Sequence, residues 1–142
     1  MKIYYAARFS QKELVITGHR EITKRGHTLA ADWTTHQNIK PYVENQTAAA
    51  EYAREDLQGV IDCDVFILHT DREIGCGSSG EFGGALILNQ TKGSPLVYVI
   101  GEHITDEMFY FHPAVKRREA LAEVLDEIGE NELQRARGPL KP

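Results

Sequence analysis

The chain has 142 residues and a net charge of −5, with 42% hydrophobic and 26% charged residues. A chain of this length forms one domain with one core, and its acidic balance argues against a nucleic-acid polymer as partner, because such proteins usually carry a basic face. No apolar stretch is long enough to cross a membrane, and the polar N-terminus argues against a signal peptide.

Strand and helix patterns alternate along the chain. The predicted elements are strands over residues 2–7, 28–33, 65–68 and 96–100, and helices over residues 11–24, 46–61, 81–92 and 115–128. The apolar residues that recur at helical spacing in the second helix are Ala49, Tyr52, Ala53, Leu57 and Val60. Residues 34–45 and 71–80 are predicted loops, and a frayed tail is expected from about residue 130 to residue 142.

The alternation of strands and helices predicts the fold class. We expect a single domain over residues 1–142 with an α/β fold, in which a doubly wound parallel sheet forms a flavodoxin-like or Rossmann-like three-layer sandwich. Ligands of such sheets bind beyond the carboxyl ends of the strands. The loops after Ala7, Trp33, Leu68 and Ile100 are therefore the expected site.

The cysteines and histidines give no sign of a metal. Cys63 and Cys76 form neither a CxxC motif nor another metal-ligand spacing, and the six histidines form no HxH or HExxH pair. We therefore predict no metal and no cofactor. Reduced thiols point to a reducing compartment, so we expect a cytoplasmic protein.

The most informative segment is GCGSSGEFGGAL, residues 75–86. It follows a predicted buried strand and opens a helix, where backbone amides favour an anion, yet it matches neither the P-loop nor the dinucleotide motif. Glu81 is expected in the first turn, where the helix terminus would keep the carboxylate ionised, as a nucleophile requires. The alternative is a capping box from Ser78 to Glu81, in which the carboxylate only satisfies an amide.

Each of the other candidate site residues has a structural role as its alternative. Asp56 lies within the second helix, where it is either functional or a solvated charge. Tyr4 and Tyr5 face opposite ways because they are adjacent in a strand, so one reaches the site while the other packs. Arg8 is a ligand contact or a surface charge. Trp33 and His36 either line a base pocket or pack in the core.

An aromatic run, Phe109-Tyr110-Phe111-His112, precedes the last helix. A base could stack on these rings. The alternative is packing in the core or against another subunit.

Four segments together resemble one family. KIYYAARF, NQTAAAEYAREDLQGVIDCDVFIL, GSSGEFGGAL and KGSPLVYVIG are similar in order and spacing to segments of the nucleoside 2-deoxyribosyltransferase family, including its nucleotide N-glycosidase relatives. The resemblance spans about residues 2–101. It implies Glu81 as the nucleophile, Asp56 as the acid that interacts with the departing base, and Tyr4 as the residue that orients the nucleophile.

The resemblance also implies a ligand and an assembly. The ligand would be a small-molecule nucleoside or nucleotide, and the protein a homodimer or higher homo-oligomer. The expected substrate contacts are Ala6, Arg8, Phe9, Ser10, Trp33, His36, Gly77, Ser78 and Ser79.

One departure from the family pattern bears on the substrate. Transferases of the family usually carry an acidic residue six positions before the nucleophile, and here that position is Gly75. The absence of this charge, with Arg8, Ser78 and Ser79 nearby, favours a hydrolase acting on nucleoside 5′-monophosphates. A transferase acting on unphosphorylated nucleosides, a non-catalytic nucleotide sensor and a structural subunit remain the alternatives.

Overall fold

The computed structural model describes residues 1–139 and contains a five-stranded parallel sheet between two helical layers. The strands are β1 (Lys2–Ala6), β2 (Thr28–Leu29), β3 (Val65–His69), β4 (Leu96–Ile100) and β5 (Val115–Arg118). The helices are α1 (Lys12–Lys24), α2 (Gln46–Asp62), α3 (Cys76–Lys92) and α4 (Leu121–Arg137). Short 3-10 turns cover Phe9–Gln11, Trp33–Thr35, Tyr42–Glu44 and Met108–Phe111.

The strand order is β2-β1-β3-β4-β5, with every neighbouring pair parallel. This is the flavodoxin-like order of a doubly wound sheet, so the predicted fold class is confirmed. None of the helices within residues 1–139 combines the length and the apolar character that crossing a bilayer requires.

The two tyrosines of β1 show how the sheet divides the molecule. Tyr4 stacks on Phe66 of β3, with ring centroids 5.7 Å apart, on the face covered by α2 and α3. Tyr5 points to the opposite face, where a Cβ on Gly18 of α1 would lie 2.3 Å from its ring. Both rings are buried, and strand alternation sends them to opposite sides.

Besides the start of α3, three predicted boundaries are wrong. The second strand ends at Leu29 because a turn follows, in which Asp32 accepts hydrogen bonds from the backbone and hydroxyl of Thr34. The predicted last helix, 115–128, begins with β5 and becomes helical only at Leu121. Residues 130–137, predicted as part of a frayed tail, belong to α4, which continues to Arg137. Residues 140–142 lie outside the described part of the chain.

The inward face of α2 also differs from the prediction. Ala53 and Leu57 are exposed, whereas Asp56 and Gly59 lie on the side that covers β1. A Cβ on Gly59 would lie 2.9 Å from the Tyr4 ring, so only glycine lets the helix come this close. Asp56, which precedes Gly59 by about one helical turn, lies close enough to Tyr4 for its charge to act on the hydroxyl.

Candidate active site

Tyr4, Asp56 and Glu81 meet on the α2–α3 face of the sheet. Tyr4 comes from β1 and is fully buried, while Asp56 on α2 and Glu81 on α3 are partly buried. Burial, reinforced by the charges of Glu81 and Asp56, raises the pKa of Tyr4. The structure therefore brings the three expected catalytic residues together from three separate elements.

Glu81 is not a capping residue. Helix α3 begins at Cys76 with Gly75 as its N-cap, so Glu81 lies in the second turn rather than the first. The Ser78 hydroxyl donates to the Gly75 carbonyl at 3.1 Å and makes no capping bond. Both the capping-box alternative and the expectation of a first-turn carboxylate stabilised by the helix terminus are wrong.

The surroundings of Glu81 favour its protonated form. Burial, followed by the charge of Asp56, raises its pKa from the ordinary value of 4.5 to about 8, and the Tyr4 hydroxyl opposes this shift. That hydroxyl lies near Glu81, although within residues 1–139 no partner satisfies ordinary hydrogen-bond geometry for it. At neutral pH the ligand-free site therefore keeps a proton on Glu81.

Asp56 has a different environment from Glu81. Burial raises its pKa and the nearby His36 lowers it. The Nδ1 atom of His36 lies 3.8 Å from Asp56 Oδ2, and its Nε2 lies 3.2 Å from Glu55 Oε2. The other carboxylate oxygen, Oδ1, is buried without a hydrogen-bond partner in the described residues. A carboxyl whose pKa is raised partly by a second carboxyl nearby is typical of acid–base pairs.

The base-pocket candidates, Trp33 and His36, have structural partners. The Trp33 indole is buried and donates to the Tyr5 carbonyl at 2.7 Å, which fixes the turn after β2. The His36 ring stacks flat on Tyr52, with centroids 3.8 Å apart. Of the two, His36 is the one that adjoins Asp56.

The remaining predicted contacts surround the start of α3 and the end of β1. Ala6 is fully buried at the end of β1, and Phe9 and Ser10 are exposed in the turn that follows. Gly77 is exposed and Ser79 partly buried in the first turn of α3. The buried Ser78 hydroxyl is already used within the helix.

Arg8 has partners that the sequence analysis did not assign to it. Its Nη1 atom lies 3.0 Å from Glu73 Oε2 and 3.8 Å from Asp71 Oδ2. Its Cγ would lie 3.1 Å from a Cβ on Gly75. The guanidinium thus lies beside the loop before α3, where its charge is matched by two carboxylates.

A separate cavity of about 840 Å³ opens on the other face of the sheet, beside the carboxyl ends of β3 and β4. Its lining includes His69, which is held by the Tyr5 hydroxyl at 2.9 Å, and His103. Tyr4, Asp56 and Glu81 do not line this cavity. We take that trio as the candidate site because the charge of Asp56 acts on Glu81. The carboxylates that line the cavity are Asp71, Glu102 and Glu119.

Sequence reasoning missed Gly59 and the pairing of Arg8 with Asp71 and Glu73. A glycine inside a helical pattern signals a close approach, and Gly59 follows Asp56 by one helical turn, so that signal was available. No pattern links Arg8 to the acidic residues of a distant loop, because that contact depends on the crossover between β1 and β3. Residues 1–139 contain no group of three or more His, Cys, Asp or Glu side chains placed to hold a metal ion.

Comparison of the chain with protein-family models, with curated proteins and with solved structures finds no match.

Proposed function

We propose that this protein breaks the N-glycosidic bond of a nucleoside or nucleoside 5′-monophosphate through a covalent glycosyl-enzyme on Glu81. The observation that carries the proposal is the partly buried pair Glu81 and Asp56 beside the Tyr4 hydroxyl, in which burial and the charge of Asp56 raise the pKa of Glu81. Paired carboxyls on either side of a glycosidic bond supply the nucleophile and the acid of retaining glycosidases. The family resemblance assigns the same roles to the same residues.

The reaction starts with movement of the shared proton. In the free site the proton lies on Glu81, and it must pass to Asp56 before Glu81 can attack. The Glu81 carboxylate then bonds to the anomeric carbon, the carbon–nitrogen bond breaks, and the departing base takes the proton from Asp56. Water next attacks the glycosyl ester, giving its hydroxyl to the sugar and its proton to Asp56, and Glu81 leaves as the carboxylate. The pair ends in the protonation state from which attack began.

The position of Arg8 favours a substrate that carries a 5′-phosphate. It lies beside Gly75, which supplies no acidic side chain, and close to the N-terminus of α3. A guanidinium binds phosphate through charge-assisted hydrogen bonds that a sugar hydroxyl cannot match. The alternative is a 2-deoxyribosyltransferase acting on unphosphorylated nucleosides. The observation that favours it is the pairing of Arg8 with Asp71 and Glu73.

The test is release of free base from a panel of nucleosides and 5′-monophosphates, measured by chromatography. Glu81→Gln should reduce turnover at least about a thousandfold, because an amide is not a nucleophile. Glu51→Gln is the matched control, since it removes an exposed carboxylate from α2. Mass spectrometry should find the sugar on Glu81 in the wild type. Tight nucleotide binding without base release would identify a sensor instead.

A further inference from the structure

Arg8, Asp71 and Glu73 form a cluster that the catalytic trio does not use. Asp71 and Glu73 follow β3, and Arg8 follows β1, so neighbouring parallel strands bring them to the same edge of the sheet. The cluster adjoins Gly75, the N-cap of α3, which is the helix that carries Glu81.

The contact between Arg8 and Glu73 is short but poorly formed. Nη1 lies 3.0 Å from the Glu73 carboxylate, yet in the described residues this ion pair does not have the geometry of an ordinary hydrogen bond. The Glu73 side chain is 77% exposed, against 33% for Arg8. An exposed ion pair held by one atom contributes little to stability, so another anion can replace Glu73 at low cost.

Asp71 differs from Glu73 in how it is held. Its Oδ1 atom accepts a hydrogen bond from the backbone of Arg72 at 2.6 Å, and its Oδ2 lies 3.8 Å from Arg8. Asp71 is thus fixed by its own loop and stays when the ligand changes. Glu73 is the carboxylate that is free to leave.

We propose that Glu73 is an intramolecular competitor for the anion site on Arg8 and thereby sets the preference between phosphorylated and unphosphorylated substrates. This inference rests on the proposed function. In the free protein the Glu73 carboxylate takes the place of a phosphate oxygen. A 5′-monophosphate displaces it, because phosphate offers several oxygens to the guanidinium fork and can bind two nitrogens at once. A nucleoside without phosphate leaves Glu73 where it is.

The experiment compares Glu73→Gln with Glu102→Gln. Glu102 is an exposed acid at the same edge of the sheet, in the lining of the separate cavity, so its removal changes the net charge equally. Binding of ribose 5-phosphate and of ribose is measured by calorimetry, and kcat/KM is measured for a nucleoside and its 5′-monophosphate. Glu73→Gln should tighten ribose 5-phosphate binding and lower KM for the monophosphate about two- to fivefold, the range expected for an exposed ion pair. It should leave the nucleoside unchanged.

A double-mutant cycle completes the test. In an Arg8→Ala background the effect of Glu73→Gln should vanish, because the guanidinium for which Glu73 and the phosphate compete is gone. The proposal is overturned if Glu73→Gln and Glu102→Gln act equally, or if the effect of Glu73→Gln survives the loss of Arg8. Tighter ribose 5-phosphate binding without base release from any substrate would support the anion site and refute the proposed chemistry.

Discussion

The raised pKa of Glu81 makes the stability of the protein depend on pH in a way that one substitution should remove. Between the ordinary value of 4.5 and about 8, the unfolded chain has lost the Glu81 proton while the native protein keeps it. The native state then binds one more proton than the unfolded state, so the free energy of unfolding falls by about 1.4 kcal/mol per pH unit. Over the whole interval the loss reaches about 5 kcal/mol, a large share of the roughly 5–15 kcal/mol that holds a domain together. Glu81→Gln cannot ionise and escapes this loss.

The assay is urea unfolding of both proteins at pH 5, 7 and 9, followed by the fluorescence of Trp33, the one tryptophan in the sequence. The stability of Glu81→Gln relative to wild type should be near zero at pH 5 and reach several kcal/mol at pH 9. Asp56 has a raised pKa of its own and adds a slope of the same sign to both proteins. Three histidines have a lowered pKa: His19, His27 and His69. They destabilise both proteins as the pH falls through their ordinary pKa of 6.5, so their contribution cancels in the difference between the two proteins.

A difference in stability that stays constant from pH 5 to pH 9 would refute the reasoning. It would mean that Glu81 ionises in the native protein as easily as in the unfolded chain. A protonated carboxyl that costs stability at neutral pH is expected at a functional site and not in a merely structural role.

Three further substitutions, the first with a matched control, test other features of the structure. Gly59→Ala places a Cβ 2.9 Å from the Tyr4 ring and should lower the free energy of unfolding by about 1–3 kcal/mol. The control, Gly80→Ala, places its Cβ in open space on α3 and should raise the free energy of unfolding by up to about 1 kcal/mol. Equal effects of the two substitutions in urea unfolding would contradict the close approach of α2 to Tyr4. Tyr4→Phe removes a group that lowers the pKa of Glu81, so the alkaline limb of its kcat/KM profile should move to higher pH, and an unmoved limb would exclude that contact. Phe109 is 60% exposed, and Phe109→Asp should dissociate the expected homo-oligomer in analytical ultracentrifugation; a monomeric, active wild type would rule the assembly out.

The exposed aromatic residues also show which part of the assembly prediction has a physical basis. Of the run 109–112, Tyr110 is buried and packs edge-on against Phe82, with centroids 5.7 Å apart. His112 contacts Gln90 of α3 at 3.2 Å. Phe109 and Phe111 are exposed, so core packing describes Tyr110, and the predicted subunit contact would have to involve the other two rings.

The sequence predicted the alternation of strands and helices because buried parallel strands and amphipathic helices leave strong patterns. It missed β5, whose sequence VKRR has three charges in four residues. The cations of that strand have partners that the local sequence does not reveal: Lys116 and Arg118 pair with Glu127 of α4, and all three cations lie over aromatic rings. Lys116 and Arg118 lie over the Tyr98 ring, and Arg117 over the Phe111 ring.

The start of α3 was missed for a different reason, and the error changed the chemistry. The run CGSSG has a loop composition, yet it is helical from Cys76. Its small residues let the helix begin close to Arg8, since a Cβ on Gly75 would lie 3.1 Å from that side chain. The earlier start carries Glu81 beyond the amides of the helix terminus and into a partly buried position near Asp56. Local propensity could identify the residue but not its protonation state, which depends on what packs around it.

That protonation state leads to a pH profile that distinguishes the proposed pair from a lone nucleophile. The pair is active with one proton, whichever carboxyl holds it at rest, so kcat/KM should fall tenfold per pH unit above about 8, where the last proton leaves Glu81. In Asp56→Asn the neighbouring charge that raises the pKa of Glu81 is gone and no proton donor remains. Glu81 then needs only to be ionised, so the residual kcat/KM should rise with pH and level off below pH 8, at a rate about 10²–10⁴-fold lower, the usual contribution of a general acid. Initial rates from pH 5 to 10 on the best substrate of the panel measure both profiles. A wild-type kcat/KM that rises through pH 8 would show that Glu81 works without a shared proton, and would remove Asp56 from the mechanism.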